Sequence, residues 1–141
     1  MKLTIELVPS SAWYSNVRSN VSQERWDVLR KDCYKKAGYK CEICEGKGPN
    51  HPVECHEIWE YDDGECIQTL KGLIALCPSC HSVKHIGLAG IKGKQEEAIK
   101  HLAKVNEITE EDAKLYVESC FEIWSQRSQK KWKLDITIIE Q

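Results

Sequence analysis

Two cysteine pairs, Cys41-Glu-Ile-Cys44 and Cys77-Pro-Ser-Cys80, stand at the spacing of zinc knuckles, and His81 and His85 come close after the second pair. A tight turn within each CxxC aims both sulfurs at one ion, so the two pairs supply four thiolates and close a tetrahedral zinc site. Such a site holds a fold together and does no chemistry of its own, because no position remains for water or substrate. Any reaction must be carried by residues beside it. His81 and His85 point to a second metal next to the first.

The elements that must position these residues can be read from local pattern. The 32 residues between the knuckles leave room for a β-hairpin. Ser79 to about His85 reads as a short helix, and i, i+4 spacing puts the two imidazoles on one face at a separation that one ion can bridge. Upstream, Leu3 to Val8 alternates in period two and reads as a strand ended by Pro9. Ser22 caps a helix from about Gln23 to Ala37, apolar at Trp26, Leu29, Cys33 and Ala37 and stopped by Gly38. Its other face carries Arg25, Arg30, Lys31, Lys35 and Lys36, a pattern that most often means solvated surface.

Beyond the second knuckle, Gly87, Gly90 and Gly93 mark a flexible connection, leading to a helix from about Gln95 to Val105. Another helix starts near Thr109, where Thr-Glu-Glu-Asp resembles a capping box and places acidic residues at the positive end of the helix dipole. Ala113, Tyr116, Val117, Cys120, Phe121 and Trp124 form its apolar stripe, which suits a core or a homodimer interface. Trp132 to Ile139 alternates as a half-buried strand, a partner for Leu3 to Val8 that would tie the two ends together.

The 141 residues suit one domain, and a composition of 41% hydrophobic and 30% charged residues is that of a globular protein. No apolar run approaches the roughly 20 residues of a membrane span, and the N-terminal stretch is unlike a signal-peptide core, so the expected compartment is the cytoplasm and no membrane partner is expected. Cys33, Cys55, Cys66 and Cys120 are expected to be reduced thiols. A formal net charge of −2 denies the protein a globally basic surface, so contact with nucleic acid would fall to a local patch. His101, near Lys100 and Lys104, reads as ordinary surface, and the five tryptophans as core packing.

At Glu54-Cys-His56-Glu57-Ile58, then Leu70-Lys-Gly72-Leu-Ile-Ala-Leu-Cys77-Pro-Ser-Cys80-His81 and His85, the chain resembles the HNH endonuclease family. The likeness covers about residues 39 to 85, roughly a third of the protein. It implies an α+β fold in which residues 39–86 form a ββα-metal core with a four-cysteine structural zinc. Residues 1–38 and 87–141 would elaborate that core with helices and with N- and C-terminal strands. It also implies metal-dependent hydrolysis of phosphodiester bonds in DNA, with His56, Glu57 and His81 as the catalytic set. His56, His81 and His85 would hold a second divalent ion, Mg, Mn, Ni or Zn. Three protein ligands leave positions for water and substrate, the open form of a catalytic site.

The chain departs from the family at two places. Glu57 stands where the general base is usually histidine, and Gly72 where the family has its asparagine. A carboxylate with an ordinary pKa of about 4.3 is a weak base at neutral pH unless burial raises it. The alternatives are Glu57 as an activated base, Glu57 as a fourth metal ligand, or a register one residue off that makes His56 the base and gives the metal His81, His85 and a carboxylate. His51, in a turn between Pro49 and Pro52, is a weaker candidate for the base. A zinc module that keeps the HNH fold without its catalysis, for binding nucleic acid or protein, is the alternative function. A nucleobase deaminase would need His-x-Glu and a proline before the second knuckle, which this chain lacks.

Overall fold

The central hairpin forms where the sequence changes from turn-rich to β-branched and aromatic. Strand β1 (Glu54–Asp62) pairs antiparallel with β2 (Ile67–Leu76), with Glu54 opposite Leu76 and Asp62 opposite Ile67. The Asp62 carboxylate closes the turn by accepting the N–H groups of Gly64 and Glu65, each at 3.0 Å. A bulge at Ile58/Trp59 leaves Lys71 unmatched on β2, next to Gly72 at φ +156°. Because of that extra residue, Leu70 and Leu73 both reach the same apolar cluster despite their odd spacing. These observations come from a computed structural model that describes residues 1–13 and 15–139.

Helices cover both faces of the hairpin. The first four in the chain are α1 (Val17–Asn20), α2 (Gln23–Lys36), α3 (Pro78–Lys84) and α4 (Ile86–Ile91). Helix α2 starts as its sequence predicts, with Ser22 Oγ accepting the Arg25 N–H at 3.1 Å, and stops at Gly38 with φ +64°. It buries Cys33 against Val53 and Ala75, and Trp26 against Trp59 and Leu70. Helix α3 lies on the other face, where Leu76, Cys80, Val83 and Ile86 enter the main core. The glycine-bearing stretch after it is helical rather than a flexible connection. A Cβ at Gly87 would stand 3.8 Å from the Phe121 ring, an ordinary packing contact.

Two longer helices complete the core. In α5 (Gln95–Asn106) Ala98, Ile99, Leu102 and Ala103 are buried, and in α6 (Glu110–Arg127) Ala113, Val117 and Cys120 are. Thr109 caps α6 by accepting the Asp112 N–H at 3.0 Å. The apolar stripe of α6 is thus spent on the intramolecular core.

The terminal segments differ from expectation. Leu3 to Val8 is not a strand and joins no sheet. Its backbone is held by side chains instead: Asn106 accepts from the Leu3 N–H at 2.9 Å and donates to the Leu3 carbonyl at 2.8 Å. The Tyr116 hydroxyl accepts from the Ile5 N–H at 2.9 Å, and the Trp124 indole donates to the Val8 carbonyl at 3.0 Å. Of Trp132–Ile139 only β3 (Lys133–Asp135) is a strand, and it pairs in parallel with Ile67–Thr69 of β2, giving the sheet order β1-β2-β3. It ends because the Asp135 carboxylate accepts the Thr137 N–H and hydroxyl at 3.1 and 2.8 Å, turning the chain into a 3-10 turn at Thr137–Ile139. The fold is α+β. Among the described residues no helix is long and apolar enough to cross a membrane.

Candidate metal centres

The first knuckle turns because Glu45 adopts a left-handed conformation at φ +64°, which brings Cys41 N–H to the Gly46 carbonyl and Glu45 N–H to the Cys41 carbonyl, both at 2.9 Å. The second knuckle turns into a helix, with Cys77 as the residue that caps α3. The hairpin brings the two knuckles together, and Glu42 locks them by accepting the Ala75 N–H at 2.7 Å while its own N–H donates to the Ala75 carbonyl at 2.9 Å. The four sulfurs of Cys41, Cys44, Cys77 and Cys80 then lie within 4.8 Å of one another. Cys44 and Cys77 are 3.6 Å apart, close to the edge of about 3.8 Å of a tetrahedron with zinc–sulfur bonds of about 2.3 Å.

Thiol acidity in this cluster shows what it lacks on its own. Burial alone would raise Cys41, but the N–H groups of Cys44, Cys77 and Ile43 outweigh it and hold that thiol at about 7. Burial and the neighbouring thiolates push Cys77 up to about 11, and Cys80 further still. The Cys41 sulfur ionises readily and then opposes the ionisation of Cys77 and Cys80. A divalent cation removes that opposition, so the donor set fits zinc and its binding would release protons.

A second cluster lies on the α3 face of the hairpin. His56, from β1, meets His81, from α3, and His85, which caps the end of that helix, with all three ligand-capable nitrogens within 4.8 Å. The rings are edge-to-face at centroid separations of 5.2, 5.1 and 4.6 Å, and the Nε2 atoms of His81 and His85 are 3.0 Å apart. Burial and repulsion from its two partners push His56 down to about 2, and burial and repulsion from His81 push His85 down to about 4. Both imidazoles are therefore neutral near pH 7, the state a metal ligand needs.

Glu54 orients this cluster, although in the sequence it stands out only as a flank of the motif. One carboxylate oxygen meets His81 Nδ1 and the other meets His51 Nε2 at 2.8 Å. Burial would raise this carboxyl, but the hydrogen bonds with His81 and His51 hold it below its ordinary value. With Nδ1–H of His81 given to a carboxylate, Nε2 carries the lone pair and faces His56 and His85. That is the arrangement by which carboxylates fix the tautomer of metal-binding histidines. Glu54 and His56 share a face of β1, so period-two alternation was the available signal.

Other predicted residues lie elsewhere. Glu57, on the opposite face of β1, accepts the Val17 N–H at 3.1 and 3.2 Å and so anchors the start of α1. Burial raises its pKa, as a base would require, but its carboxylate is not brought to the histidines. Gly72 sits at the bulge opposite Ile58, with open space where a side chain would be. His51 reaches Glu54 and is exposed. His101 is not ordinary surface, since its Nε2 lies 3.2 Å from Cys80 Sγ. Burial lowers its pKa. The basic face of α2 is on the side of the hairpin away from the histidines. Comparison with protein-family models, with curated proteins and with solved structures finds no match to this chain.

Proposed function

We propose that the chain is a metal-dependent endonuclease of the HNH type, acting on phosphodiester bonds in DNA. The observation that carries this reading is the convergence of His56 from the hairpin with His81 and His85 from the next helix, beside a separate four-cysteine cluster. That is the layout the resemblance implies for a ββα-metal core. Cys41, Cys44, Cys77 and Cys80 would hold a structural zinc, and the three histidines a second divalent ion. Three imidazoles suit Zn or Ni better than Mg, which prefers oxygen. When bound there, such an ion supplies Lewis acidity toward a phosphate oxygen and toward water.

The chain's own residues define the rest. His56, His81 and His85 are the ligands, His81 held in one tautomer by Glu54. Glu57 serves the fold through Val17 and is not the base of this reading. Among the described residues Glu57 does not stand beside the histidines, so an ion bound there would have to supply the activation of water. That same feature, with the bare Gly72, favours a second reading, a zinc module on the HNH fold whose catalysis has been lost.

The two readings part in one experiment. Metal content per chain is measured by mass spectrometry, and plasmid nicking is assayed with Mg, Mn, Ni or Zn for the wild type, His56→Ala and His81→Ala. A nuclease nicks with at least one ion, and both alanine variants lose that activity while keeping their helical content. One zinc per chain and no nicking with any ion would establish the module.

A further inference from the structure

Each of the four sulfurs of the cysteine cluster has a nitrogen within hydrogen-bonding reach, but not of the same kind. Cys41 accepts from the Cys44 backbone at 3.5 Å, Cys44 from the Gly46 backbone at 3.4 Å and Cys77 from the Cys80 backbone at 3.4 Å. Cys80 faces a side chain instead, with His101 Nε2 at 3.2 Å, the shortest of the four, and a proton on Nε2 is then donated to the sulfur. The two knuckles differ in the conformation of the chain just past them. After Cys44 the chain enters a loop, where left-handed Glu45 turns the Gly46 N–H back onto the sulfur. Cys80 lies inside α3, and the N–H groups just beyond it are committed to the helix's own carbonyls. Cys80 is also fully buried, so water cannot stand in for a donor. The donor comes instead from α5, where Leu102 and Ala98 pack into the shared core and set His101 against the cluster.

We infer that His101 is a fifth, non-ligating member of the four-cysteine centre, whose N–H to Cys80 sets how tightly the centre holds its metal. Four thiolates around a divalent ion carry a net charge of −2 in a partly buried place, and N–H donors are what disperse it. His101 supplies the one donor the local backbone cannot. Outer-shell hydrogen bonds of this kind are worth about 10–100-fold in metal affinity. Lys2, Lys104 and Glu45 line the shallow groove running past Cys44 and His101. The inference rests on the zinc reading of the cysteines and is independent of any nuclease activity.

The test uses the full chain as wild type, His101→Ala, His101→Gln and, as a control on the same helix, Lys100→Ala. Zinc affinity is read by competition with a chromophoric chelator, and the sulfur-to-metal charge-transfer band is read after cobalt substitution. His101→Ala is expected to lose about 10–100-fold in zinc affinity and to shift that band, with four sulfurs still bound. His101→Gln restores an N–H donor and recovers most of the affinity, and Lys100→Ala changes nothing. Affinity for His101→Ala within about twofold of the wild type overturns the inference, as does a cobalt spectrum of three sulfurs and one nitrogen in the wild type. A wild-type chain that binds no zinc overturns the zinc reading itself, and the inference with it.

Discussion

His56 and Glu57 are neighbours on an extended strand, and neighbours on a strand face opposite ways. The pair therefore cannot serve one ion together, and the structure gives His56 to α3 and Glu57 to the N-terminal segment. Glu57→Gln keeps an oxygen for the Val17 N–H and should hold unfolding free energy within about 1 kcal/mol of the wild type, with metal content unchanged. Glu57→Ala removes the acceptor and should cost about 1–2 kcal/mol in denaturant titrations. A total loss of metal binding in Glu57→Gln would return it to the site. The sequence contained the parity of His56, Glu54 and Glu57, but not which face of the strand would receive the second knuckle. Equally, nothing in the 20 residues between Cys80 and His101 announces their contact, because it depends on how α5 crosses α3.

At the level of elements, the local signals held where a single segment settles the outcome. Ser22 and Thr109 cap their helices, Gly38 stops one, and the turn between the knuckles is a hairpin, because each rests on contacts a few residues apart. The N-terminal strand failed because its period-two pattern specifies burial of Leu3 and Ile5, not the identity of what pairs with their backbone. Asn106 and Tyr116, more than 100 residues away, supply those partners. Gly48 marks the tightest junction between elements: its N–H donates to the Pro52 carbonyl at 3.0 Å, and a Cβ would stand 2.3 Å from the His51 carbonyl and 2.7 Å from the Pro78 ring. Gly48→Ala should therefore destabilise the protein by about 1–3 kcal/mol and weaken zinc retention, because it pushes the first knuckle's loop away from the second. Thermal unfolding at matched zinc concentration measures it.

Across the whole molecule, α6 is fastened to the hairpin tip. Arg127 makes a two-pronged contact with the Asp63 carboxylate at 2.9 and 3.0 Å and lies 4.8 Å over the Tyr61 ring, and Lys130 donates to the Asp63 carbonyl at 3.1 Å. The hydrogen bonds from Arg127 hold the Asp63 carboxyl below its ordinary value of 3.8. A carboxyl lowered in the folded state contributes stability above its unfolded pKa and loses it as pH falls through the folded one. The wild type should accordingly exceed Asp63→Asn in stability at neutral pH, by less than about 1 kcal/mol since Asp63 is half exposed and the pair is screened. That difference should vanish in strong acid and shrink with added salt. A difference that persists unchanged below the folded pKa would assign the effect to packing rather than charge.

Helix α3 carries consecutive residues into different centres, with Cys80 turned to the sulfurs and His81 to the imidazoles. On the proposed reading the two centres are therefore mechanically coupled: a displacement of α3 moves a sulfur and an imidazole together, so a disturbance at one centre would be felt at the other.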